Sequence, residues 1–211
     1  MKLADMQVTQ FCDVLASDAP APGGGSTAAL EGALGAALTA MVCGLTTVGK
    51  SREKYAEYQE FVLASQKKAL DLKARFMDVM DRDTEAFNVV SAAFGMPKAT
   101  DEEKAARKEA MQKALKEATL VPYETMELCL QSLKVVKLGV GKTNTSAASD
   151  LGVASLNLKS AVQGAWLNVL INLAGIKDEA FVAEYKSKGE AILAEALPLA
   201  DEIYNDILKS L

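Results

Sequence analysis

The chain has 211 residues, half of them hydrophobic but only 6% aromatic, with 23 Lys and Arg against 28 Asp and Glu and no histidine. A net charge of −5 argues against a general nucleic-acid binder, and without histidine any acid–base chemistry falls to carboxylates, Lys, Tyr, Cys or water. The cysteines Cys12, Cys43 and Cys129 show no paired spacing, so no metal site is expected; they read as reduced core thiols of a cytoplasmic protein.

Abundant alanine and few aromatics favour closely packed helices in one domain, residues 1–211. The start, Met1-Lys2-Leu3-Ala4-Asp5, lacks the apolar run of a signal peptide. Thr9 to Ala16 reads as a short opening helix capped by Thr9, with Phe11, Val14 and Leu15 inward.

Next comes Ala19-Pro20-Ala21-Pro22-Gly23-Gly24-Gly25-Ser26, running into an Ala- and Gly-rich helix as far as Val48. Pro20 and Pro22 disfavour helix before them, and the glycines let another group approach closely. Ser26 is the expected N-cap. The first turn offers free N–H groups to an anionic or electron-rich ligand group. Ala28, Gly32, Ala36, Ala40 and Gly44 form one face, Leu30, Leu34, Leu38 and Val42 the next, and Glu31 is the only charge. A helix apolar all round is a buried one. Its small face admits either a neighbouring helix or the same helix of a second subunit. The segment is long enough to span a bilayer, but its glycines, threonines and Glu31 favour a core helix and no membrane association. Gly49 is the expected residue just past its end.

Arg52 to Phe94 reads as one long amphipathic helix, with Tyr55, Tyr58, Phe61 or Val62, Leu70, Phe76, Met80, Phe87, Val90 and Phe94 inward. Asp83 falls inside that stripe. A carboxylate there is costly unless it is hydrogen-bonded, paired or lining a cavity. It is either a tie to a helix end or a working acid, and spacing leaves both open. Asp81 faces sideways.

Thr100-Asp101-Glu102-Glu103 is a capping box for the next helix, which Pro122 should kink or split near Val121. Its second part, Tyr123 to Leu138, turns Met126, Leu130, Leu133 and Val136 inward. Gly139 to Ser149 is a second polar loop. Within it, Gly139-Val140-Gly141-Lys142-Thr143 fails as a phosphate loop because Val136 stands where a glycine is required. Lys142 either meets an anionic group or is solvated.

Ser149 to Ala174 is a second low-charge helix. Asp150, Ala154, Asn157, Ala161, Ala165, Asn168 and Asn172 share one seam. The asparagines suit a polar heterocycle, an interhelical network or a dimer interface. Asp178 caps a last helix that Pro198 should bend. The fold class is all-α: a single-domain bundle of six to eight helices around two central small-residue helices.

Five segments occur in this order: Ala21-Pro22-Gly23-Gly24-Gly25-Ser26, Asp81-Arg82-Asp83-Thr84-Glu85-Ala86-Phe87, Ala93-Phe94-Gly95-Met96-Pro97-Lys98, Ser149-Asp150-Leu151-Gly152-Val153-Ala154 and Leu167-Asn168-Val169-Leu170-Ile171-Asn172-Leu173. Together they closely resemble the formimidoyltetrahydrofolate cyclodeaminase/methenyltetrahydrofolate cyclohydrolase family. The resemblance implies a cytoplasmic homodimer that uses a tetrahydrofolate derivative as substrate and needs no prosthetic group. It implies catalysis by Asp83, with Asp81 second, and substrate binding by Pro22, Gly23, Gly24, Gly25, Ser26, Lys142, Asn144, Asp150, Asn168 and Asn172. Cyclohydrolase activity is the first expectation, cyclodeaminase activity the alternative, and a non-catalytic folate-binding or scaffold dimer the third. Two departures stand out: Thr143-Asn144-Thr145-Ser146 where the family often has Gly-Asn-x-Asn, and Leu170 where a basic residue is common.

Overall fold

The computed structural model describes residues 2–211, and every regular element among them is helical. Seven α-helices follow in order: α1 Val8–Leu15, α2 Gly24–Thr46, α3 Gly49–Lys54, α4 Gln59–Phe94, α5 Asp101–Gly139, α6 Ala148–Leu173 and α7 Glu179–Ser210. This is the all-α bundle the sequence implies, with its helix number inside the expected range.

Helices α2 and α6 form the centre and run antiparallel. Gly24 lies against Asn168, Ala28 against Gly164 and Gly35 against Leu158. Helix α4 runs antiparallel to α2 on another side, with Asp83 against Gly25 and Phe76 against Gly32. Helix α5 packs on α4 and α6, and α7 closes the bundle over α5 and α6. Phe76, Leu72, Met80, Met126, Leu128, Leu133 and Leu158 are fully buried between these layers.

The small face of α2 is thereby accounted for. The Phe76 ring occupies the space a Cβ on Gly32 would need. A helical glycine costs about 1 kcal/mol relative to alanine, and burying a phenylalanine side chain returns roughly 1.5–3 kcal/mol. Ala28, Gly32, Ala36 and Ala40 are all buried in the same chain, so this face is not where a second subunit could pack. Helix α2 has the length and hydropathy of a membrane span, yet over half of its most apolar window is buried inside the bundle.

Helix ends follow local chemistry where side chains can reach. Thr100 accepts from the Glu103 N–H at 3.2 Å while the Glu103 carboxylate accepts from the Thr100 N–H at 3.1 Å. Asp178 caps α7 by accepting from the Phe181 N–H at 3.1 Å. Helix α1 starts one residue before Thr9, with Gln7 and Gln10 capping reciprocally; Phe11 is buried and Leu15 exposed. Gly49 takes a left-handed φ of 53°, but three residues beyond the end of α2. The expected single helix from Arg52 is interrupted at Tyr55, whose hydroxyl accepts from the Thr145 N–H at 3.0 Å. Leu70, expected inside, is 47% exposed; Ala69 and Leu72 fill the core instead.

Pro122 does not split α5, which runs unbroken through it, as α7 does through Pro198. Proline removes the N–H that would serve the carbonyl four residues back, here that of Ala118. The Asn172 side-chain amide donates to that carbonyl at 2.9 Å. A buried carbonyl left without a donor costs about 1–3 kcal/mol, so Asn172→Ala should lose that much stability in denaturant unfolding. Pro122→Ala in the same background restores a backbone donor and should recover most of it. A double variant no more stable than Asn172→Ala alone would refute this assignment.

Candidate active site

The Gly-rich turn and α4 meet at Asp83. Helix α2 begins at Gly24 with Gly23 as its cap, so Ser26 is the third helical residue and does not cap it. Its hydroxyl crosses to α4 and donates to Asp83 Oδ2 at 2.8 Å. The Thr84 hydroxyl, 3.3 Å from Ser26 Oγ, is then left to donate to it. The first turn of a helix has unpaired N–H groups, and the Ser26 N–H also stabilises the Asp83 carboxylate. A Cβ on Gly25 would overlap the Asp83 carboxyl group. Glycine at this position is therefore what lets the carboxylate sit over the helix end.

Asp83 is largely buried. Removal from water pushes its carboxyl above the ordinary value, and the Ser26 hydroxyl and N–H pull it part of the way back. Among the described residues no cation pairs with it. The tie to a helix end is thus present, since Asp83 joins α4 to the start of α2, and its carboxylate also lines a cavity. That cavity, about 490 Å³, is walled by Gly23, Gly24 and Gly25 on one side and by Asn168, Ile171 and Asn172 of α6 on another. Phe87, Val90 and Phe94 continue down α4 from Asp83. Its size and mainly apolar lining with a few polar groups suit a small organic ligand.

Asn168 donates to the Gly164 carbonyl at 2.9 Å, which fixes its amide and leaves its oxygen available at the cavity. Asn172 is held by the Ala118 carbonyl. Pro22 is buried and faces a second, more open hollow of about 650 Å³ between α2 and α6, which shares Gly23 and Gly24 with the first.

Four residues from the same set lie elsewhere. Asp81 turns away and its Oδ1 accepts from the Ala4 N–H at 3.3 Å. Asn144 closes the second Gly-rich loop onto the other end of α2: its N–H donates to the Thr46 hydroxyl at 2.9 Å and its side chain to Ser51 at 3.2 Å. Lys142 sits over the Phe61 ring, its ammonium 5.2 Å from the centroid. Asp150 lies in the first turn of α6, where the helix dipole favours a carboxylate. The length of α2 separates this loop from Asp83, roughly 30 Å at 1.5 Å per residue.

The pocket walls are not where helical periodicity predicts core. Phe87 and Phe94, expected inward, are 39% and 62% exposed. Their position four and eleven residues after Asp83, on its own helical face, was the available signal.

An all-α domain with a desolvated carboxylate lining a ligand-sized cavity has the layout of a small-molecule enzyme. Residues 7–191 match the family model Formiminotransferase-cyclodeaminase, and the chain belongs to that family. It is 42% identical over 200 residues to a methenyltetrahydrofolate cyclohydrolase of Methylorubrum extorquens, covering 95% of each chain. It is 34% identical over 186 residues to a formimidoyltransferase-cyclodeaminase of Sus scrofa, covering 88% of this chain and 34% of that longer one. The crystal structure of formiminotetrahydrofolate cyclodeaminase from Thermotoga maritima superposes over 100% of this chain and 98% of its own, with a TM-score of 0.82 at 27% identity.

Proposed function

We propose that this chain is a 5,10-methenyltetrahydrofolate cyclohydrolase, which adds water across the one-carbon bridge to give 10-formyltetrahydrofolate. The observation that carries the reading is Asp83, desolvated in the cavity lining with no cation among the described residues to pair with. The methenyl bridge is a cationic amidinium, and its charge would supply the missing partner. That attraction is stronger in a partly dry site than in water.

Water attacks the bridge carbon while Asp83 takes one of its protons. Asp83 returns that proton to the ring nitrogen as the carbon–nitrogen bond breaks. The remaining hydroxyl proton leaves as the formyl carbonyl forms, so one proton is released overall. A carboxyl held above its ordinary value is the better matched base near neutral pH. Gly23, Gly24, Gly25 and Asn168 would receive the polar ring, and Phe87 and Phe94 the flat aminobenzoyl group. No prosthetic group is needed, and the setting is the cytoplasm.

The alternative reading, cyclodeamination of formimidoyltetrahydrofolate, is favoured by the likeness to the Thermotoga maritima enzyme. It passes through the same kind of tetrahedral carbon, with ammonia as the leaving group. One assay separates the two. A cyclohydrolase should remove the near-ultraviolet absorption of methenyltetrahydrofolate faster than buffer alone. A cyclodeaminase should instead create that absorption from the formimidoyl substrate and release ammonia. Failure on both substrates would leave a non-catalytic folate binder.

A homodimer accompanies this reading. The outward sides of α2 and α6 carry Leu34, Met41, Leu45, Val153, Leu156 and Leu167, each between 42% and 67% exposed. These adjacent apolar seams suit a second copy packed about a two-fold axis. Leu34→Glu with Leu156→Glu should weaken association about 100-fold, by leaving charges buried without partners. Light scattering that still reports a dimer at micromolar concentration would move the interface elsewhere.

A further inference from the structure

A threonine inside a helix can turn its hydroxyl back onto the carbonyl four residues earlier. Thr39, Thr46, Thr119 and Thr125 do so, donating to Gly35, Val42, Leu115 and Val121 at between 2.7 and 3.4 Å. Thr27 does the same onto Gly23 at 2.9 Å. Thr84 instead brings its hydroxyl across from α4 to 3.3 Å from Ser26 Oγ on α2. Ser26, next to Thr27 in the chain, in turn gives its proton to Asp83 Oδ2 at 2.8 Å. Two hydroxyls are thus turned off their own helices and toward one carboxylate.

Neither hydroxyl belongs to the lining of the cavity. Ser26 is wholly buried and Thr84 is half-buried. Because the Ser26 proton is committed to Oδ2, Thr84 is the donor of the second bond. That bond engages Ser26 Oγ and opposes rotation of its O–H toward the backbone, the arrangement Thr27 adopts. Oδ2 is thereby held, while Oδ1, the carboxylate oxygen closest to where a Gly25 Cβ would stand, takes no side-chain donor among the described residues.

Charge does not compete with this pair. Among the described residues, only burial and the Ser26 hydroxyl and N–H act on the Asp83 carboxyl. On α2 the one charge is Glu31, five residues past Ser26, and the cavity-lining residues of α5 and α6 are uncharged. On α4, Asp81 accepts from the Ala4 N–H, Arg82 pairs with Asp78 and Glu124, and Glu85 is exposed.

We infer that Thr84 and Ser26 are positioning residues: the chain from the Thr84 hydroxyl through Ser26 to Asp83 Oδ2 orients the carboxylate and reserves Oδ1 for the proton taken from water. The inference rests on the reading of Asp83 as the base. Since the pair touches no substrate, it acts on kcat and on the pH at which Asp83 works, and it leaves KM alone.

The test uses the whole chain and the variants Ser26→Ala, Thr84→Val and Thr84→Ser. Carbon-13 NMR of aspartate-labelled protein follows the Asp83 carboxyl, whose signal is identified by its loss in Asp83→Asn. Ser26→Ala should raise the titration midpoint by about one pH unit, the scale of one hydrogen bond to a carboxylate. Thr84→Val should raise it by about half as much, as the Ser26 proton turns in part to the backbone. The acid limb of the kcat profile should move with the midpoint. Above that limb, Thr84→Val should lower kcat about tenfold through a looser carboxylate, with KM within about twofold of native. Thr84→Ser keeps the hydroxyl and should restore the native midpoint, with kcat within about twofold. A midpoint unmoved by Thr84→Val, or moved as far by Thr84→Ser, overturns the inference, as does a loss carried by KM. Should Asp83→Asn keep full turnover, the proposed base fails instead. The NMR titration needs no substrate and still decides whether the two hydroxyls govern the carboxyl.

Discussion

Asp83→Asn is expected to lower turnover of methenyltetrahydrofolate about 100- to 10,000-fold, the usual worth of a positioned general acid–base group. The amide oxygen can still accept from Ser26, so helical content should be unchanged. Stability should move the other way. Folding raises the Asp83 carboxyl above its ordinary value, so the folded chain binds that proton more tightly than the unfolded one. Well below about pH 4, near the ordinary carboxylate value, both states are protonated and there is no penalty. As pH rises through the folded-state value, the native protein loses stability that the neutral asparagine does not. The variant should therefore melt at or above the native temperature at pH 8, with the gap closing toward pH 4. Full activity would remove Asp83 from the chemistry. A lower melting temperature at pH 8 would show that its tie to α2 outweighs its desolvation.

Gly25→Ala should do comparable damage while every titratable side chain is kept. The added methyl group would occupy the place of the Asp83 carboxyl, which must swing away from Ser26. A displacement of about 1 Å in a reacting group can cost on the order of 100-fold in rate, so kcat should fall at least that far. Alanine is the better helix former by about 1 kcal/mol, which offsets part of the steric cost to folding. Circular dichroism should stay near native while activity collapses. Native turnover in this variant would mean that the carboxylate works equally well elsewhere, and the close approach would lose its significance.

Much of this arrangement was legible in the sequence because it is periodic. The four-residue spacing of Ala28, Gly32, Ala36 and Ala40 marks a buried helix, and the position of Asp83 between Met80 and Phe87 marks an inward carboxylate. Thr100 and Asp178 are local signals and cap the helices they precede. What stayed hidden depends on contacts between distant segments. Pro122 fails to break α5 because Asn172 supplies the absent donor from another helix. Tyr55 interrupts a helical pattern because its hydroxyl meets the Thr145 backbone. Ser26 has the composition of a cap, yet its oxygen is directed at a carboxylate across the bundle. The two Gly-rich loops are both visible as loops, but only the antiparallel pairing of α2 and α6 places them at opposite ends. Lys142 and Asn144 consequently stand with Thr46 and Phe61, away from Asp83.

Among the described residues no cation stands beside Asp83, which bears on how this cavity could be blocked. An inhibitor with a permanent positive centre, such as an amidine or guanidine mounted on a flat aromatic frame, would itself provide a counter-charge that none of the described residues supplies. A carboxylate or phosphonate in the same place would meet repulsion with nothing to neutralise it. The potency of such a cationic compound would fade in acid, as its anchoring carboxylate takes up a proton.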